Sequence, residues 1–122
     1  MEGFSKIAYK GKEILYADYS SFGFDKEKTL QLISGFANEY MKCPPKSALA
    51  LVNVANLHFD TDIINALKEN QDKTVPYQKK VAIIGMKGLQ KVAYNFIITL
   101  TQRDSVKILN SENEAKEWLV SD

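Results

Sequence analysis

The chain reads as an α/β domain with a mixed, mainly parallel sheet, and three observations carry that reading. Ala48–Val54 is an almost unbroken apolar run, interrupted only by Asn53, as expected for a central strand covered on both faces. Lys80–Ile84 is a second such run and Val106–Leu109 a third. Each is followed by a stretch of helical periodicity, and strands that alternate with helices point to βαβ units.

The order of elements is then β-β-α-β-α-β-α-β-α. Lys6–Lys10 and Glu13–Tyr19 are β-prone and flank Gly11, a hairpin signal that adds an antiparallel edge. Asp25 fits a helix N-cap, since its carboxylate can accept from free amides of the first turn. Leu30, Ile33, Ala37, Tyr40 and Met41 follow at helical spacing, with Leu32 and Phe36 widening the stripe. Cys43-Pro44-Pro45 stops this helix. Asp60 or Thr61 caps the second helix, whose inner side carries Ile63, Ile64 and Leu67. The polar Glu69–Gln78 stretch reads as ending in a loop. A third helix is expected from about Lys87 to Gln102, with Leu89, Val92, Ala93, Phe96, Ile97 and Leu100 inward and Tyr94 and Ile98 outside the stripe. Ser111-x-x-Glu114 matches a capping box for a fourth, closing helix with Ala115, Trp118 and Leu119 inside.

The bulk properties narrow the function classes. A chain of 122 residues, 45% apolar and 25% charged, suits one globular domain with a real core. A net charge of +1 lacks the basic excess of a nucleic-acid module, so no nucleic-acid partner is expected. One cysteine, Cys43, precludes an intrachain disulfide and fits a reducing compartment. The first residues lack the apolar core of a signal peptide, and no apolar run approaches the roughly 18 residues of a membrane span. A cytoplasmic location is the expectation.

Chemistry-bearing residues gather beyond the central strand. Asn53, Asn56, His58, Asp60, Thr61 and Asp62 fall at its carboxyl end, where open α/β sheets tend to hold ligands. A catalytic reading makes His58 a base and Asp60 its orienter. The plainer reading is a loop histidine beside helix-capping acids, and it is preferred because His58 lacks visible companions, so no catalytic residue is assigned. One histidine and one cysteine also argue against a transition-metal site, and no cofactor is expected. Gly85-Met86-Lys87-Gly88 reads as a strand-to-helix turn. Gly85, Lys87 and Gly88 there form a candidate anion site built on free helix amides, although two glycines more often just make a tight turn. Neither a Walker motif nor a GxGxxG fingerprint is present. Phe22 and Phe24 flank Gly23 in a loop; an exposed aromatic pair can anchor a partner or a dimer, but burial beneath the first helix is the expectation for them.

The hairpin start, Ala48–Val54, Phe59-Asp60-Thr61-Asp62-Ile63, Lys80–Gly85 and the ending Asn110–Leu119 together resemble the STAS-like, anti-sigma-factor-antagonist superfamily, in its uncharacterised bacterial branch. The resemblance implies a regulatory, protein-binding module without catalysis. In regulatory members a serine at the start of the helix after the central strand is phosphorylated, within a motif that resembles Asp-Ser-Ser-Gly. Here the stretch is Asp60-Thr61-Asp62-Ile63, which puts Asp62 at the phosphoacceptor position and loses the glycine. Classical serine switching is therefore not expected. Asn56, His58, Asp60, Thr61 and Asp62 become the expected partner or ligand surface. The partner would be another protein or a second copy of the chain. The alternative is a small-molecule or lipid-binding domain, since the related CRAL-TRIO folds hold apolar ligands.

Overall fold

A computed structural model describes residues 2–89 and 91–121. The elements are β1 (Phe4–Tyr9), β2 (Lys12–Asp18), α1 (Lys26–Tyr40), β3 (Ala48–Asn53), α2 (Thr61–Thr74), a 3₁₀ turn (Val75–Tyr77), β4 (Gln78–Ile84), α3 (Lys91–Leu100), β5 (Val106–Ile108) and α4 (Glu112–Val120). The order is the one read from the sequence: α/β, with a five-stranded mixed sheet and four helices.

The strands lie side by side in chain order, β1-β2-β3-β4-β5. β1 and β2 are antiparallel, and the other three pairings are parallel. The hairpin closes through Lys10 and Gly11, at φ 50° and 79°. Two positive φ values in a two-residue loop give the turn whose twist matches the strands, and a glycine takes the second at no steric cost.

Three successive crossovers step the same way across the sheet. Connections of one hand therefore place α1, α2 and α3 together on one face. Strand alternation confirms that placement. Leu15, Ala17, Ala50, Val81, Ile83 and Val106 join the residues of α1–α3 in one core cluster. Ile14, Leu49, Leu51, Ala82 and Ile84 point the other way and meet Ala115 and Leu119 of α4. β3 at the centre is sandwiched between both layers, which is why its sequence is apolar at nearly every position.

Local chemistry sets the helix starts. Asp25 accepts from Lys28 N at 3.1 Å, and Asp60 accepts from Ile63 N at 2.9 Å. Ser111 accepts from Glu114 N at 3.2 Å, while the Glu114 carboxylate reaches back to Asn110 N at 3.3 Å. The capping box thus closes one residue upstream of the cap itself.

Three expectations are corrected. The inner stripe of α1 runs Thr29, Leu32, Ile33, Phe36, Ala37 and Tyr40, and Met41 lies past the helix end, exposed. Thr29 can be inside because its hydroxyl bonds to Asp25 O at 3.0 Å. The connection expected at Val75-Pro76-Tyr77 is present as a single 3₁₀ turn, which leads from α2, running to Thr74, directly into β4. Proline at the start of that turn is tolerated, since its missing amide would have had no helical partner. α3 begins at Lys91 rather than Lys87, and Val92 is exposed. Finally, Phe22 is buried, as expected, but Phe24 is 82% exposed.

Among the described residues, no helix is long and apolar enough to cross a membrane.

Candidate functional site

The carboxyl ends of β2, β3 and β4 carry the loops that gather the candidate residues. Two asparagines shape this edge. Asn53 Oδ1 accepts from Ala55 N at 3.0 Å, folding the chain over the end of β3. Asn56 takes a left-handed φ of 62° and donates through Nδ2 to Ser20 O at 3.2 Å, tying the loop after β3 to the loop after β2. Asparagine is among the few non-glycine residues that adopt this φ readily. Tyr19 N also donates to Asn53 O, at 3.0 Å. The edge is therefore a hydrogen-bonded platform.

Gly85 explains itself against that platform. Its φ is +85°, and a Cβ there would lie 2.5 Å from Asn53 Oδ1 and 2.6 Å from Ala55 N. The glycine lets the end of β4 pass beside the Asn53 turn. Gly88 has φ +82° with open space around it, and Leu89 N donates to Met86 O at 3.3 Å. Gly85-Met86-Lys87-Gly88 is thus a looped turn upstream of α3. The free helix amides on which an anion site at Gly85, Lys87 and Gly88 was expected belong further along the chain.

On the platform stands a small charged cluster. Lys26, the first residue of α1, places its ammonium 3.1 Å from Asp60 Oδ2 and 2.5 Å from Asp62 Oδ2. Asp60 is held below the usual carboxylate range by the Ile63 amide and then by Lys26. Lys26 is raised by its bonds to Asp62 and Asp60. These groups are substantially exposed, so the ion pairs add little stability and chiefly orient charge. Thr61 and Asp62 occupy the first turn of α2 on its exposed side. Asp62 there favours the positive end of the helix dipole.

Beside the cluster the ring of Phe24 tilts over His58, with centroids 4.6 Å apart and planes at 49°. His58 is half-buried and its neighbours Leu57 and Phe59 are buried, so the imidazole is presented from a firmly seated loop. The two oxygens of Asp60 are engaged by Ile63 N and by Lys26. The structure thus brings together His58, Asp60, Thr61 and Asp62, as the sequence order required. It adds Lys26 and Phe24, which sequence reasoning left out of the site. Nothing local marks Lys26, because its partners lie more than thirty positions away. Among the described residues, no group of three or more His, Cys, Asp or Glu side chains is arranged to hold a metal.

Comparison with family models, with curated proteins and with solved structures finds no match to this chain.

Proposed function

We propose that this domain is a non-catalytic, regulatory protein-interaction module of STAS-like fold. Its docking surface is the carboxyl edge of the sheet, with Phe24, His58, Lys26, Asn56, Thr61 and Asp62. The observation that carries the reading is Phe24. A phenylalanine 82% exposed, its ring tilted over a histidine and close in sequence to an ion-paired lysine, has the make-up of an interface anchor. Support also comes from the resemblance noted above and from the chemistry at the start of α2. With Asp62 where regulatory relatives would carry a serine, the surface bears a standing negative charge paired to Lys26. The module then works without a serine phospho-switch.

The test is affinity isolation of the tagged full chain from extracts of its own host, with three baits. The wild-type chain should retain one protein, or a second copy of itself, in stoichiometric amount. Phe24→Ser should lose it while keeping the native circular-dichroism spectrum. Lys79→Ala, at the far end of the sheet, should retain it. Equal retention by all three baits, or no stoichiometric partner for the wild type, refutes the assignment.

A further inference from the structure

The face covered by α1, α2 and α3 is not fully packed. A hollow of about 110 Å³ lies beneath α2. Its floor is Val52, Val81 and Ile83 of the sheet, with Ile33 and Phe36 of α1 on one side and Phe96 and Ile97 of α3 on the other. α2 is buried at only two positions, Ile63 near its start and Thr74 at its end. The seam between α2 and α3 is fastened at the same two levels. Phe59, just before α2, meets Phe96 with ring centroids 6.1 Å apart. At the other end Gln78 donates to Thr74 Oγ1 at 2.9 Å and accepts from Arg103 at 3.1 Å. Between these fastenings the half-buried Leu67, Asn70 and Gln71 line the space.

The chemistry of the lining is selective. The residues of α2 that line the space, all in its last two turns, are Leu67, Asn70, Gln71 and Thr74, so three of the four are polar where a helix seated on a sheet ordinarily turns apolar residues inward. Asn70 Nδ2 is used on Ala66 O at 2.8 Å. That leaves Asn70 Oδ1 and the Gln71 side-chain amide as the hydrogen-bonding groups that α2 offers. Tyr19 and Tyr40 also border the space, and burial holds both phenols well above their ordinary pKa, so they stay neutral. Among the described residues, no Asp, Glu, Lys, Arg or His side chain lines it. A charged guest would lose its hydration with nothing to compensate.

We propose that the hollow is a binding site for one small uncharged molecule of about a single ring, apolar over most of its surface and bearing one hydroxyl or amide that meets Asn70 and Gln71. The size follows from comparison with an engineered apolar cavity of about 150 Å³, which takes benzene. A space of about 110 Å³ has no room for a lipid chain folded on itself. The entry route is the α2–α3 seam between its two fastenings, past Leu67 and Phe96. This site lies inside the helical layer and reaches beneath the docking edge, sharing Leu57 and Phe59 with the loop that carries His58, but its test reads small-molecule binding and not partner retention.

The experiment is titration of the full chain with phenol and, separately, with benzoate, followed by amide chemical shifts and by melting temperature. Phenol should bind saturably at millimolar concentration, shift amides of α2 and α3, and raise the melting temperature. Benzoate, of similar shape but charged, should do neither. Ala37→Leu projects a larger side chain into the hollow from α1 and should weaken phenol binding roughly tenfold or more with the native spectrum intact. Val52→Leu provides a second filling from the floor should the first variant misfold. Absence of saturable phenol binding, equal binding of benzoate, or undiminished binding by a folded filled variant overturns the proposal.

Discussion

The two faces of the sheet are packed by different rules. On one, a single helix, α4, is laid flat and locked. Ala115 is 0% and Leu119 1% exposed, against Ile14 and Leu51, which are also inaccessible. Its C-terminal carbonyls are gripped from the sheet. Lys80 Nζ donates to Trp118 O at 2.9 Å and Ser121 O at 2.7 Å, and Lys12 Nζ donates to Val120 O at 3.1 Å. Lys80 and Lys107 also lie over the Trp118 ring. Tyr9 and Lys10 hold Glu117 from the hairpin. On the other face, three helices share a larger core, and the middle one is fastened at its ends over a hollow. A cation at a helix C-terminus both satisfies orphan carbonyls and complements the dipole. α4 therefore needs few buried residues to be well placed, whereas α2 leaves space beneath it.

This contrast can be broken most sharply by paired substitutions. Leu119→Ala should cost about 2–5 kcal/mol, because a sealed site cannot collapse around the lost atoms. Leu67→Ala, half-buried at the hollow, should cost only about 1 kcal/mol. Chemical denaturation of the two variants checks the ordering, and equal losses would show that the faces are packed alike.

Enlarging an alanine on each face should change stability in opposite directions. Ala115→Leu overpacks the α4 face and should destabilise by about 1–3 kcal/mol. Ala37→Leu borders the hollow and should stabilise by about 0.5–2 kcal/mol. The same denaturation series reads both signs.

Lys80→Met keeps an apolar stem against Trp118 but removes the ammonium from the carbonyls of α4. A loss of about 1 kcal/mol is expected, with amide exchange faster in the last turn of α4 and unchanged in α2. Uniform acceleration would mean that the lysine does not act on α4 in particular.

The smallest effect expected is electrostatic. Asp60 has its folded pKa lowered by the Ile63 amide and by Lys26. A depressed carboxylate contributes stability above its unfolded pKa, about 3.9, and loses it as pH falls through the lower folded value. Asp60→Asn retains a capping oxygen without the charge. Its melting temperature should lie slightly below wild type at neutral pH and converge with it in acid. A gap that persists in acid would assign the effect to shape rather than charge.

Much of this architecture was legible along the chain, and the unread parts share a cause. Asp25, Asp60 and Ser111 could be identified as caps because a cap bonds to amides two or three residues away. The strands of the parallel core stood out because burial on both faces leaves an unbroken apolar run. Met41 and Val92 were placed inside because periodicity gives the direction of a stripe but not which elements cover it. Asn70, Gln71 and Thr74 were not read as inward because polar side chains look like solvent residues until the hollow and the Thr74–Gln78–Arg103 bonds are seen. Of the candidate surface, His58, Asp60, Thr61 and Asp62 were legible from their position after the central strand. Lys26 and the exposed Phe24 were not, since each is defined by a neighbour on another loop.

The sequence by itself determined the order of elements, the hairpin turn at Lys10-Gly11, the helix caps and the central strand, all of which rest on hydrogen bonds and periodicities within a few residues. Only the tertiary structure decided that α3 waits until Lys91, that Gly85 must clear Asn53, that Lys26 bridges two aspartates, and that α2 spans a hollow. Those features depend on pairs of groups brought together from distant parts of the chain, where space and charge are shared between elements.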